Sequence, residues 1–216
     1  MNIAIDADGV FLDFDATWRE TAENVLCRKL SAPAAAYHLM DRYALTKAEY
    51  HKTWVTFNAL GAWSRIKPIP EGVNAVRMML DMGHEVHVVS CVPINALASR
   101  RQQMARLFGE HHPRLTVHAT ASQPGHEILP TKEQVLSAIH PHFYADDRWP
   151  HCLEARHAMV PYIAFIDARH GGDGTAMDDV HVHENLMNAI QDFSRMTNSI
   201  PHGLPARGVT PITLGR

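Results

Sequence analysis

Cysteine is scarce in this chain: Cys27, Cys91 and Cys152 are all that 216 residues carry. An odd number without metal-like spacing excludes a disulfide framework and a cysteine-built zinc site; reduced thiols in a cytoplasmic protein are the expectation. Charge of one sign is also scarce. Twenty Lys and Arg against 23 Asp and Glu leave −3, so no basic field would recruit a nucleic-acid polymer. No apolar run approaches the roughly 20 residues that cross a membrane, so no membrane partner is expected. No charged start leads into an apolar stretch and a cleavage site, so no secretory signal is read. Repeats and low-complexity tracts are missing. Histidine runs the other way, with sixteen residues and close pairs at His111/His112, His140/His142 and His181/His183. The pairs fall on different predicted elements and read as surface or hydrogen-bonded side chains. Proline and glycine concentrate only at the end (Pro201, Gly203, Pro205, Gly208, Pro211, Gly215), which predicts an extended or disordered tail over 199–216.

What remains is an ordinary globular composition, one domain with room for an insertion. Apolar runs at 3–6, 85–90, 115–118, 143–146 and 162–166 predict about five buried parallel strands. Helical patterns lie between most of them. Val73, Val76, Met79 and Leu80 share a stripe that Gly83 closes. Asn95 is expected to cap a helix bearing Leu97, Met104 and Leu107, closed by Gly109. Thr131 to Gln134 has the form of a capping box and opens a helix through Val135, Leu136 and Ile139. A last helix is expected from about Glu184, with Leu186, Ile190 and Phe193 on one face. Alternating strands and helices imply a Rossmann-like α/β fold, a parallel sheet covered on both faces.

One interval breaks the alternation. About seventy residues separate the first two strands, far more than a crossover needs. Trp18, Ala22, Val25, Leu26 and Leu30 form one helical stripe. Thr46 and Glu49 form a second capping box, followed by Tyr50, Trp54 and Phe57, with Gly61 as the stop. The expected organisation is a core of 1–15 and 68–198 with a small helical cap over 16–67.

The first strand ends in Asp6-Ala7-Asp8-Gly9. Two carboxylates one residue apart repel, and need a cation, a proton or a chemical task to offset that cost. Ligands in open α/β sheets bind at the C-terminal strand edge, and Gly9 permits a sharp turn with open backbone N–H groups. Three more features fall at this edge or lead to it. Ser90 ends the second strand and can donate to a phosphoryl oxygen, although a turn serine before Pro93 is the plainer reading. Asp146 and Asp147 end the fourth strand, where a helix cap is the competing explanation. Lys132 opens a helix, where the dipole disfavours a cation unless a negative site lies near. Clustered carboxylate oxygens suit Mg²⁺ better than zinc.

The order of these pieces resembles the four motifs of the haloacid dehalogenase superfamily. DADGVFLDFD, the helical insertion, PIPEGV and ADDRW are most similar to the 5′(3′)-deoxyribonucleotidases. The resemblance implies that Asp6 is a nucleophile forming an aspartyl-phosphate. It implies that Asp8 protonates the leaving alcohol and then deprotonates water, its carbonyl binding Mg²⁺. Asp146 would ligate the metal directly and Asp147 directly or through water. Ser90 and Lys132 would take up the remaining phosphate charge and the Gly9 turn would cradle it; Cys91, where the chain departs from the family wording, and Trp54, one of the aromatic stripe whose pocket-facing ring the sequence does not single out, are the further substrate-binding candidates. A second Asp argues for phosphate esters over halides, since halide needs no proton.

The leading expectation is a Mg²⁺-dependent phosphomonoesterase acting on a small-molecule phosphate ester, such as a (deoxy)nucleoside monophosphate. A phosphatase for a sugar phosphate or phosphoglycolate is the alternative; a non-catalytic Mg²⁺/phosphate-binding module is the reading from another class. Trp18 is a second stacking candidate beside Trp54. Arg100 and Arg101 compete with Lys132 for the role of phosphate cation. A homodimer is left open.

Overall fold

The computed structural model describes residues 1–31, 36–121, 129–166 and 178–197; the tail expected over 199–216 lies outside them. In chain order the elements are β1 (Asn2–Ile5), β2 (Leu12–Asp13), α1 (Phe14–Leu26), α2 (Leu39–Arg42), α3 (Lys47–Ala59), β3 (Lys67–Pro68), α4 (Pro70–Asp81), β4 (Glu85–Ser90), α5 (Leu97–Phe108), β5 (Leu115–Ala119), α6 (Lys132–Ile139), β6 (Phe143–Asp146), α7 (Trp149–His157), β7 (Ile163–Ile166), β8 (Val180–His183) and α8 (Leu186–Thr197).

Six strands form one sheet in the order β5-β4-β1-β6-β7-β8, with every pairing parallel. β1 lies inside the sheet with both faces covered. Ile3 and Ile5 belong to one apolar cluster with residues of α4, α5 and α8, such as Val76, Met104 and Phe193. Ala4, on the opposite face, belongs to a second cluster with Leu136 of α6 and Cys152 of α7. The unbroken apolar run is the sequence signature of that double burial. The chain moves outward from β1 through β4 to β5, then crosses back to β6. The switch in direction leaves a crevice at the C-terminal ends of β1, β4 and β6, where open α/β sheets bind ligands.

The sheet has six strands, not five. The additional one is β8, an outer strand whose VHVH sequence alternates polar and apolar residues and is only partly buried; an outer strand needs no continuous apolar run. Asn95 does not cap α5. Residues Ile94–Ala96 wind as a 3₁₀ turn after Pro93, and the helix begins at Leu97 without a side-chain cap. The last helix, expected from about Glu184, runs from Leu186 to Thr197 with Leu186, Ile190 and Phe193 buried. Both capping boxes form, Thr46 with Glu49 and Thr131 with Gln134.

The long first interval holds α1, α2, α3 and a 3₁₀ turn at Ala62–Ser64. β2 and β3 pair antiparallel at its two ends, Leu12 opposite Pro68 and Asp13 opposite Lys67. The insertion therefore leaves and rejoins the core at one place, directly after the Asp6 turn. At Gly72 the first turn of α4 lies so close to that turn that a Cβ there would sit 2.7 Å from the Phe11 backbone.

Candidate active site

β1 ends at Ile5, and the Asp6 N–H continues the ladder by donating to the Ala145 carbonyl at 2.8 Å. The chain then turns back on itself. The Ala7 carbonyl accepts from the N–H groups of Phe11 and Leu12, and the Gly9 N–H donates to the Leu12 carbonyl. Gly9 has φ +83°, and a Cβ there would lie 2.0 Å from Asp147 Oδ2. Glycine is required twice over, by backbone conformation and by close approach of a carboxylate.

Asp6, Asp8, Gly9, Cys91, Thr120, Lys132, Asp147 and His151 line the floor of a cavity of about 620 Å³. Lys132 is fully buried there, its Nζ 2.8 Å from Asp6 Oδ1 and 2.6 Å from Asp146 Oδ2. Asp146 is fully buried beneath the floor and fully engaged. Beyond Lys132 it accepts from the Tyr144 hydroxyl and from the Arg148 N–H, and it faces His151 Nδ1 at 3.2 Å. Asp147 lines the cavity itself; Asp146 does not.

The charges on this floor do not behave independently. Burial pushes the Asp6 carboxyl up to about 6; Lys132 pulls it back, and Asp146 and Asp8 push it further up. Burial, then Asp146 and Asp6, hold Asp147 well above the ordinary carboxylate range. Burial works against the charge of Asp146 too, but Lys132 and His151 overcome it and keep this acid ionised. Burial also opposes the charge on Lys132, and Asp146 and Asp6 outweigh it. His151 is raised to about 9 because Asp146 overrides both burial and Lys132.

Asp6, Asp146 and Asp147 each present an oxygen within 4.8 Å of the others. Burial first, and the neighbouring carboxylates after it, hold two of the three above their usual pKa; acids gathered this closely need a cation or a proton to offset their repulsion. An oxygen-only donor set fits a hard divalent cation such as Mg²⁺.

The sequence-predicted residues separate on inspection. Asp6, Asp8, Gly9, Cys91, Lys132, Asp147 and Trp54 share the cavity wall. Ser90 lies beneath it, with a buried hydroxyl that has no hydrogen-bond partner among the described residues; Cys91 and Thr120 occupy the surface beside it. Trp18 is not on the wall. It is fully buried, stacked on Tyr43 with centroids 6.1 Å apart, and belongs to the core of the insertion. Phe57 is buried as well, whereas Phe14, Tyr50, Trp54 and Trp63 form the aromatic side of the cavity.

Arg148 and His151 carry no signal in the sequence, and Arg100, expected there only as a competing phosphate cation, takes a different place. Arg148 stacks on the Tyr37 ring, 3.6 Å from its centroid, joining the loop after β6 to the insertion. His151, on α7, was hidden among many histidines. Arg100 is fully buried, and its Nη2 reaches both oxygens of Asp8 at 2.8 and 2.7 Å; Arg101, its neighbour, is exposed. A signal for Arg100 did exist: it stands three residues after Leu97 and four before Met104, a charged side chain within an apolar stripe.

No protein-family model matches the chain, and no curated protein matches it. Solved structures do. A HAD family hydrolase from Deinococcus radiodurans, with bound phosphate and sodium, superposes with a TM-score of 0.57 at 12% identity, over 92% of this chain and 95% of that one. A phosphoglycolate phosphatase so described from Lactobacillus plantarum gives 0.57 at 15% identity, over 89% and 98%. CbbY from Rhodobacter sphaeroides, in complex with xylulose-(1,5)bisphosphate, gives 0.54 at 11% identity, over 86% and 94%. At such identities the likeness is one of architecture, and it fixes that much: the chain has the Rossmann-like α/β fold of the HAD-type hydrolases.

Proposed function

We propose that this protein is a Mg²⁺-dependent phosphomonoester hydrolase that works through an aspartyl-phosphate on Asp6. The observation that carries the reading is the position of Asp6. It sits on the cavity floor at the sheet's switch point, with one oxygen held by buried Lys132 and a second acid, Asp8, on the same wall. Lys132 orients Asp6 for in-line attack on phosphorus and offsets phosphate charge. Asp8 supplies the proton to the departing alcohol and takes one from the water that hydrolyses the acyl phosphate. Asp6, the Asp8 carbonyl and Asp147 are the groups that would hold Mg²⁺ from the cavity; Asp146, expected from the sequence to bind it directly, has both oxygens taken by Lys132, Tyr144, Arg148 and His151 and would add its charge from behind. The ion would neutralise phosphoryl charge. Gly9 and Cys91 lie where the phosphoryl group would enter, and Ser90 stands just beneath them.

For the leaving group, the reading favoured is a nucleoside. Phe14, Tyr50, Trp54 and Trp63 give the far wall flat apolar faces, and base stacking on such rings is worth about 1–3 kcal/mol. Arg42, on that side of the cavity, is committed to Asp15 and to the Ala36 and Tyr37 carbonyls, so it is not set to bind a second negative group on a substrate. The second reading, a sugar phosphate or phosphoglycolate, is supported by what the neighbours are described as acting on or binding.

The test is phosphate release with Mg²⁺ from deoxynucleoside monophosphates, sugar phosphates, phosphoglycolate and 4-nitrophenyl phosphate. Turnover on all classes with the highest kcat/KM on a nucleotide supports the full reading, and a preference for phosphoglycolate or a sugar phosphate selects the second. A hydroxylamine-sensitive phosphoenzyme, absent in Asp6→Asn, supports the covalent step. No turnover of any ester would make the protein a binding module.

A further inference from the structure

A proton donor must be aimed as well as present, and the structure shows an unusual device beside Asp8. The buried Arg100 straddles the Asp8 carboxylate with one nitrogen, Nη2, 2.8 Å from Oδ1 and 2.7 Å from Oδ2. Both oxygens are therefore fixed relative to α5, and the carboxylate cannot change rotamer without breaking two charge-assisted bonds; in its acid form Asp8 carries a proton taken from solvent on one oxygen, and the other oxygen keeps the Arg100 contact that sets the aim. Arg100 is itself held. Its Nη1 donates to Gln103 Oε1 at 3.3 Å, and Gln103 Nε2 donates to the Ile66 carbonyl at 2.6 Å. The Arg100 guanidinium carbon lies 5.6 Å from the centre of the Trp63 ring. Ile66 and Trp63 belong to the segment through which the helical insertion rejoins the core, and Trp63 also lines the cavity.

Burying a guanidinium is costly unless it is paired, and the Arg100 Nε finds no partner among the described residues. A helix that needed only packing here would carry leucine or methionine. The arginine's one full interaction is with Asp8. We infer that Arg100 is a positioning residue: it aims the Asp8 carboxylate, and through Gln103 and Ile66 it ties that aim to the segment by which the insertion returns to the core. The inference rests on the proposed proton-transfer role of Asp8. It adds that the efficiency of proton transfer is set by a residue on α5 that touches no substrate.

The consequence is selective. A leaving group of low pKa departs without a proton, whereas an alkoxide does not. Losing the aim of Asp8 should therefore cost much on an alkyl phosphate and little on an activated aryl phosphate. The quantity to read is kcat/KM, which reports events up to formation of the aspartyl-phosphate and so excludes the later hydrolysis step.

The experiment compares Arg100→Gln, Arg100→Lys and Gln103→Leu with the unaltered protein and with Arg101→Ala, on 2,4-dinitrophenyl phosphate and on an alkyl phosphate the protein turns over. Arg100→Gln is expected to lose about 100-fold or more on the alkyl ester, within the usual range for general acid catalysis, and less than about fivefold on the aryl ester. Arg100→Lys should recover part of the loss, and Arg101→Ala should match the unaltered protein on both esters. Gln103→Leu leaves Arg100 in place and should show the same ester-dependent pattern at smaller size; it also serves if Arg100→Gln does not fold. Equal losses on both esters, or no loss, in the folded variants would overturn the inference. Failure of the unaltered protein to turn over either ester would instead overturn the phosphatase reading beneath it.

Discussion

The two sides of the cavity are built on opposite principles. The floor is charged and buried, and its central groups are spoken for: Lys132 by two carboxylates, Asp146 by four donors, Asp8 by Arg100. The far wall is aromatic, and its rings are held largely by one another. Trp54 and Trp63 lie with centroids 6.0 Å apart, and Phe14 stands within 6 Å of both. A floor of coupled charges has few alternative arrangements, because moving one group leaves another buried and unpaired. Rings in mutual contact can exchange shape for shape at modest cost. The floor is thus suited to fixing a reaction and the wall to choosing a leaving group.

The floor should break hardest. Asp6→Asn keeps volume and removes a repelling charge, so the fold should persist by circular dichroism, while kcat falls by about a thousandfold or more. Retention of a large fraction of the rate would remove Asp6 from its role. Chelation should likewise bring turnover to background and Mg²⁺ should restore it; Ca²⁺, with looser and higher coordination, should not. Lys132→Met should cost about a hundredfold or more in kcat and also lower Tm, because Asp6 and Asp146 lose their shared cation. A rate loss without a Tm loss would mean that Lys132 touches substrate but does not hold the floor together.

The wall should break more gently and in another parameter. Trp54→Ala should raise KM for a nucleotide by about 5- to 150-fold, the equivalent of about 1–3 kcal/mol of stacking, with kcat on 4-nitrophenyl phosphate little changed. An equal effect on every ester would make Trp54 a packing residue only.

The smallest effect is a pH signature of the floor. The Asp6 carboxyl is raised to about 6 by burial, against Lys132, so the folded protein binds this proton more tightly than the unfolded chain. The stability it contributes is present below about pH 4 and is lost as pH rises through about 6. A divalent cation competes with that proton. The increase in Tm on adding Mg²⁺ should therefore be a few degrees near pH 7.5 and shrink towards pH 5.5. An increase that is the same at both pH values would place the ion away from Asp6.

Much of this was legible in the linear chain. Five of the six strands of the main sheet were visible as apolar runs, with ends within about a residue of those observed, because a strand buried on both faces must be apolar throughout. The capping boxes were visible because their chemistry is local. Asp6, Asp8, Asp146 and Asp147 drew notice because acids do not ordinarily end buried strands. β8 was missed because an outer strand tolerates histidines, and Trp18 could not be told from Trp54 because both lie on helical stripes. The Asn95 cap failed because a 3₁₀ turn after Pro93 moved the start of α5 by one residue.

The sequence alone determined the alternation of strands and helices, the insertion after the first strand and the acids at the strand ends, since each depends on periodicity or on neighbours a few residues away. Only the tertiary structure decided which of two adjacent aspartates faces the cavity, which tryptophan lines it, and that Arg100 holds Asp8 across 92 residues of chain. Those outcomes depend on which side chains share a buried volume, and volume is shared in space among segments that the order of residues keeps far apart.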